Sequence, residues 1–188
     1  LYVPAFYQPV YRADGTIDHF EIRDGVPKVV RKRIVQDLDE SVFPTETIVP
    51  STEIVHDRTT IELFRGCIRG CRFCQAGFVY RPVRERSAET LACQAMHALE
   101  DSGYPEITLS SLSTSDYRQL PALTEKLLDY CEPRGINLSL PSLRIDNFSR
   151  ELMQRIQTVR KSSLTFAPEA GTQRLRDAIN KNVTEDEI

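Results

Sequence analysis

A chain of 188 residues with a formal charge of −3, 40% hydrophobic and 27% charged, has the balance of a globular protein and room for one domain plus a lead-in. No apolar run approaches the roughly 20 residues that span a bilayer, and no basic stripe recurs along the chain as a nucleic-acid binder would carry. Five cysteines, an odd number without framework spacing, read as reduced thiols of a cytoplasmic protein rather than as a disulfide scaffold.

Leu1–Arg58 reads as an irregular, partly β lead-in. Prolines at 4, 9, 27, 44 and 50 argue against long helices. Ala13-Asp14-Gly15 marks a turn, and Tyr7–Tyr11, His19–Arg23 and Lys28–Val30 are segments that pair as short edge strands. From residue 59 the pattern changes. Thr59–Phe64 is β-branched and apolar, a strand running straight into a cysteine-rich loop. Ser87–Ser102 is a helix capped by Ser87, with Leu91, Ala95, Met96 and Leu99 as its apolar stripe. Glu106–Leu109 is a second strand, ending in SSLSTS. Asp116–Cys131 is a second helix, capped by Ser115, with Pro121 tolerated in its early turns. Ile136–Leu140 and Ser163–Ala167 are further strands, and Phe148–Val159 and Thr172–Ile179 further helices. Four βα units in succession predict an α/β fold with a parallel sheet and right-handed crossovers. The chemistry then belongs at the carboxyl ends of the strands.

The loop between the first strand and the first helix contains Arg65–Gly77, RGCIRGCRFCQAG. Cys67, Cys71 and Cys74 fall in a C-x3-C-x2-C pattern, and Gly66 and Gly70 let the chain curl tightly. Thiolates suit iron–sulfur clusters and zinc. A structural zinc site closes with four protein ligands, whereas three cysteines can hold a four-iron cluster and leave one iron open. Cys93, Cys131, His56 and His97 are the fourth-ligand candidates, and none lies in the loop. Cys93 and His97 are spaced i,i+4 on a helix without a third ligand, which favours a packed thiol and a half-exposed imidazole. The count of three favours the open cluster, with zinc or plain structural thiols as alternatives. Arginines 65, 69, 72, 81, 84 and 86 surround one acid, Glu85. They serve an anionic cluster, the fold or a neighbouring domain, or else a phosphate backbone.

With Phe73 immediately before Cys74, the loop resembles the signature of the radical S-adenosylmethionine (SAM) superfamily. The strings TIELFRGCIRGCRFCQAGFVYRPVRERS, SLPSLRIDNF and SLTFAPEAGTQRLRDAINK together resemble one branch of it. In that branch a cobalamin-binding domain precedes the radical SAM barrel, and the proteins are distantly similar to methylthiotransferases. The resemblance covers almost the whole chain and implies a partial TIM-type (βα) barrel, about four units of a core that usually has six. Residues 1–58 would be the lead-in from a cobalamin-binding domain and 59–188 the N-terminal part of the core. The chain, opening on Leu and closing on NVTEDEI, is accordingly expected to be an internal piece of a longer protein.

The resemblance also implies chemistry. Cys67, Cys71 and Cys74 would hold a 4Fe-4S cluster that reductively cleaves SAM to methionine and a 5′-deoxyadenosyl radical. Phe73 would lie near the adenine. The wider superfamily places a Gly-Gly-Glu-like motif after the second strand to receive the methionine amine; this sequence lacks it, and Ser110, Ser111 and Ser113 stand in its place. Arg144, at the end of the third strand, is suited to a bidentate grip on the SAM carboxylate. Glu169, at the end of the fourth, would accept from the ribose hydroxyls or the amine. The structural alternatives are a helix-capping serine loop, an ion pair of Arg144 with Asp146 or Glu169, and an arginine partner for Glu169. An electron donor such as flavodoxin or ferredoxin is implied, and a cobalamin domain would open the way to methyl transfer. The competing reading, an iron–sulfur electron-transfer or sensing module, requires a fourth protein ligand and no SAM.

Overall fold

Asp14 and Gly15 set the first hairpin. The Asp14 carboxylate accepts from the Thr16 amide at 2.9 Å and its hydroxyl at 2.7 Å, and Gly15 takes φ +82°. This closes β1 (Tyr7–Tyr11) onto β2 (Ile17–Ile22) as an antiparallel pair with Tyr7 opposite Ile22. The third segment expected to pair, Lys28–Val30, forms no strand; there the Pro27 carbonyl accepts from the Tyr7 hydroxyl at 2.8 Å. The computed structural model describes residues 1–147, 149–159 and 165–188, and the chain divides into two compact units, Leu1–Val35 and Gln36–Ile188. Residues 36–58, read as lead-in from the sequence, pack within the second unit.

In that unit β3 (Thr59–Glu62) runs into β4 (Phe64–Arg65), followed by the single turn α1 (Ala76–Val79) and β5 (Arg84–Glu85). Then come α2 (Ala88–Ser102), β6 (Glu106–Ser110), α3 (Leu120–Cys131), β7 (Asn137–Ser139), α4 (Arg150–Ile156) and α5 (Gln173–Ala178). The strands β3, β6 and β7 form a parallel sheet in that spatial order, with Ile61 beside Leu109 and Ile107 beside Leu138. Neighbours in register share a face. One face therefore carries Ile61, Ile107, Leu109 and Leu138, with Thr59 at its end, and its apolar residues join Leu91, Leu99, Leu123, Leu127 and Ile156 of the helices in the core. The opposite face carries Thr60, Glu62, Thr108, Ser110, Asn137 and Ser139 and is polar throughout.

Local signals set most boundaries. The Ser87 hydroxyl accepts from the Thr90 amide at 3.1 Å, and Gly103 ends α2 in the left-handed conformation, as the preference of glycine for that position requires. The second helix starts four residues later than expected, at Leu120, after a 3-10 turn at Thr114–Asp116. The expected cap is engaged elsewhere: the Ser115 hydroxyl accepts from the Arg144 amide at 3.0 Å, and the Asp116 carboxylate accepts from the Ser113 hydroxyl. The expected first strand is split, because Phe64–Arg65 turns out of the sheet to pair with Arg84–Glu85. Phe148, at the head of the third helix, lies outside the described residues. So do residues 163 and 164 of the fourth strand; its described part, 165–167, is irregular backbone. Residues 36–58 cross the unit as a strap, with Leu38 buried and the Asp39 carboxylate accepting from the Ser87 amide at 2.9 Å. Among the described residues, no helix is long and apolar enough to cross a membrane.

Candidate cofactor site

The pairing of Phe64 with Glu85 and Arg65 with Arg84 clasps the two ends of a single excursion, residues 66–83, that holds all three loop cysteines. Gly66 starts it at φ +92°, where an added Cβ would lie 2.9 Å from the carbonyl oxygens of both Tyr80 and Pro82. Inside the excursion the Cys74 amide donates to the Cys71 carbonyl at 3.0 Å and the Arg69 amide to the Cys67 sulfur at 3.4 Å. The loop is also held to the chain beyond α5. The Asn180 side chain donates to the Gly70 carbonyl and the Arg72 amide to the Ile179 carbonyl, both at 2.9 Å.

All three thiols are half-buried or at the rim and line one cleft of about 260 Å³. Phe73, Ser113, Arg144 and Glu169 line the same cleft, so the structure gathers four of the six side chains expected around SAM. Ser110 and Ser111 are not among its lining residues. Ser110 ends β6 with its carbonyl accepting from the Leu63 amide, and the Ser111 hydroxyl is 3.0 Å from that of Thr114. Arg144 makes the ion pair left open by the sequence: Nε and one terminal nitrogen donate to Asp146 at 2.8 and 3.1 Å. Among the described residues, Glu169 pairs with Lys181, at 3.3 Å.

Sequence reasoning missed Lys181, Ser142 and the carboxylate of Asp116. Lys181 follows Asn180 and precedes Asn182, both in the left-handed region at φ +56° and +54°; an Asn-Lys-Asn turn was the available signal, since asparagine tolerates that conformation. Ser142 at φ +59° and Glu169 at φ +68° are non-glycine residues in the same region, and both line the cleft. Strained backbone of this kind gathers at functional sites. Burial works to raise the Asp116 carboxyl, but hydrogen bonds from Arg69 and Ser113 and the charges of Arg69 and Arg144 outweigh it and hold it below its ordinary range.

The six arginines of the loop region are all engaged by the chain itself. Arg65 grips Glu62 at 2.9–3.1 Å, Arg69 binds Asp116 and Asp146, and Arg72 donates to the Ala178 carbonyl. Arg81 and Arg84 donate to the carbonyls of Gly77 and Pro82, and buried Arg86 to that of Leu38. They serve the fold. Cys93 is exposed, with its sulfur 3.9 Å from His97 Nδ1, and burial pushes the Cys131 thiol up to about 11.

The donor set fits an iron–sulfur cluster. Three soft thiols sit on one loop and line one cleft, and a four-iron cluster takes each thiolate on a different iron.

Comparison with known proteins agrees. The chain is 29% identical over 179 residues to an uncharacterized protein of Methanocaldococcus jannaschii, covering 95% of this chain and 38% of that protein. It is 25% identical over 143 residues to the threonylcarbamoyladenosine tRNA methylthiotransferase of Treponema pallidum, covering 73% of this chain and 29% of that enzyme. The chain thus spans well under half the length of these relatives. The family model described as the radical SAM superfamily matches residues 61–188, from β3 through the cysteine loop to the last residue. The chain belongs to the radical SAM superfamily.

Proposed function

We propose that this chain carries the cofactor-binding half of a radical SAM enzyme. Membership in the superfamily implies a 4Fe-4S cluster and SAM, and the reading adds which residues hold them. The observation that carries it is the cleft, whose lining brings Cys67, Cys71 and Cys74 together with Ser113, Arg144, Glu169 and Lys181. When bound, the cluster supplies the electron that cleaves the sulfonium carbon–sulfur bond.

Cys67, Cys71 and Cys74 hold the cluster. Phe73, 55% exposed beside Cys74, offers an aromatic face to the adenine. Lys181 presents an ammonium on a side chain only 13% exposed, paired with Glu169. It is a better partner for the SAM carboxylate than Arg144, whose Nε and one terminal nitrogen are already spent on Asp146. Glu169 accepts from the amine or ribose. The polar face of the β3-β6-β7 sheet supports the reading of a partial barrel, in which that face is the interior. Five free thiols suit a reducing cytoplasm, and a flavodoxin- or ferredoxin-type donor would supply the electron.

Anaerobic reconstitution with iron and sulfide tests this. The expected result is about four irons and four sulfides per chain, and a reduced-cluster electron paramagnetic resonance (EPR) spectrum that changes on adding SAM. A colourless protein with one zinc, or a cluster indifferent to SAM, overturns it.

A further inference from the structure

We infer that Arg69 is the positioning residue of the cysteine loop: its guanidinium ties the segment between Cys67 and Cys71 to the loops after β6 and β7, and so fixes the thiols relative to the opposite wall of the cleft. The inference rests on the reading of the cleft as a cluster and SAM site.

The geometry is a chain of four charged side chains, Asp116–Arg69–Asp146–Arg144. Arg69 Nε donates to Asp116 Oδ2 at 2.8 Å, one terminal nitrogen donates to Asp116 Oδ1, and the other donates to Asp146 Oδ2 at 2.9 Å. Asp116 also accepts from the Ser113 hydroxyl at 2.7 Å, and Asp146 from Arg144 at 2.8 and 3.1 Å. The side chains of Arg69, Asp116, Asp146 and Arg144 are 22, 5, 12 and 8% exposed. Two guanidinium groups balance two carboxylates, so the network is neutral as a whole. That lowers the cost of burying it, which for an unmatched charge would be severe. The arginine fork is planar and rigid, and three of its nitrogens are used, so it sets distance and angle in a way a lysine would not.

The rest of the loop is anchored elsewhere. Gly70 and Arg72 bond to residues 178–180 on the far side. The Arg69 side chain bonds to the ends of both β6 and β7, through Asp116 and Asp146. Beyond Asp146 the network continues: Arg144 donates to the Lys181 carbonyl at 2.8 Å, and the Lys181 ammonium meets Glu169 at 3.3 Å. The thiols and the residues facing them are therefore set by one connected path. Because the fork of Arg69 is spent on Asp116 and Asp146, its effect on ligand binding runs through position.

Substituting Arg69 alone would strand a buried carboxylate. The informative variant is Arg69→Met combined with Asp116→Asn, which removes the fork and one matching charge together. Two measurements on the full chain follow. First, hydrogen exchange of the cofactor-free protein reports residues 66–75 directly. The double variant should exchange there at least tenfold faster than wild type, with α2 and α3 unchanged, and Arg69→Lys should lie between the two. Second, after reconstitution the double variant should take up iron but bind SAM at least tenfold more weakly, with a broadened EPR spectrum. Wild-type protection at residues 66–75 in the double variant overturns the inference, as does an undiminished response to SAM. If wild-type protein shows no response to SAM, the functional reading fails, and the exchange measurement still decides whether Arg69 positions the loop.

Discussion

Gly66 gives the sharpest test of how the cysteine loop is built. It sits at φ +92°, and a Cβ there would meet the carbonyls of Tyr80 and Pro82 at 2.9 Å and Val83 Cα at 3.1 Å. All three are backbone atoms and cannot rotate away. Gly103, at the end of α2, has φ +68° and open space within 4 Å. Gly103→Ala therefore isolates the conformational cost, about 1–2 kcal/mol for a left-handed L-residue, partly offset by about 0.4–1 kcal/mol of lost unfolded-state freedom. Gly66→Ala adds the overpacking cost, about 1–3 kcal/mol. The expected losses are about 1 kcal/mol for Gly103→Ala and about 2–4 kcal/mol for Gly66→Ala. For a chain of this size that is roughly 2–4 °C against 4–16 °C in Tm. Urea unfolding followed by far-ultraviolet circular dichroism measures both, with equal m-values required for the comparison. If Gly66→Ala loses no more than Gly103→Ala, the close approach of residues 80–83 to the loop is wrong.

Three further outcomes are expected. Cys71→Ala should lose cluster assembly on reconstitution, whereas Cys93→Ala should load iron like wild type, because Cys93 is exposed on α2 and is not among the residues that line the cleft. Native alkylation at pH 8, mapped by mass spectrometry, should label Cys93 and spare Cys131, whose burial holds its thiol near 11; early labelling of Cys131 would contradict its packing. Asp116 is held below its ordinary value of 3.8 against burial by Arg69, Ser113 and Arg144. A depressed folded-state value means its stabilisation is complete above about pH 4 and is lost as pH falls through the lower folded value. Thermal melts from pH 7 to pH 3 should show a shallower acid loss for Asp116→Asn than for wild type, from a lower plateau at pH 7.

The legible parts of the sequence were those written locally. Ser87 and Thr172 each accept from the amide three residues on, and each starts the helix its position announced. The cysteine triplet was visible because its spacing is contained in one loop. The parts that were not legible depend on distant partners. Arg69 meets carboxylates 47 and 77 residues away, and nothing near it in sequence shows them. The same bonds explain the late start of α3, since Asp116 faces Arg69 instead of a helix end. β4 and β5 are two residues each, too short for alternation to reveal, and pair across the excursion 66–83. Ser110 and Ser111 were grouped with Ser113 by adjacency, yet only Ser113 reaches the cleft, because its neighbours are spent in the strand and in a turn.

The balance of charge around the cleft bears on what it can hold. Of the roles the sequence left open to the six loop arginines (the cluster, the fold, a neighbouring domain or a phosphate backbone), the structure shows the fold, since each is committed to the chain. At the cleft wall, Arg69, Arg144 and Lys181 are matched by Asp116, Asp146 and Glu169. Among the described residues the walls are therefore close to neutral, and thiolates on the cysteine loop would tip the cleft negative. Such a site favours a ligand of net positive charge over a phosphate. SAM qualifies, because its sulfonium adds a charge to a zwitterionic methionine end. S-adenosylhomocysteine keeps the same groups without that charge. One unbalanced charge in a partly buried site is worth roughly 1–3 kcal/mol at an effective dielectric of about 20, so the reconstituted protein should prefer SAM by about tenfold or more. Raising the salt should narrow that gap. Equal affinity for the two ligands at low salt would mean that the wall carries an uncompensated cation, and the pairings of Arg144 and Lys181 would then have to be redrawn.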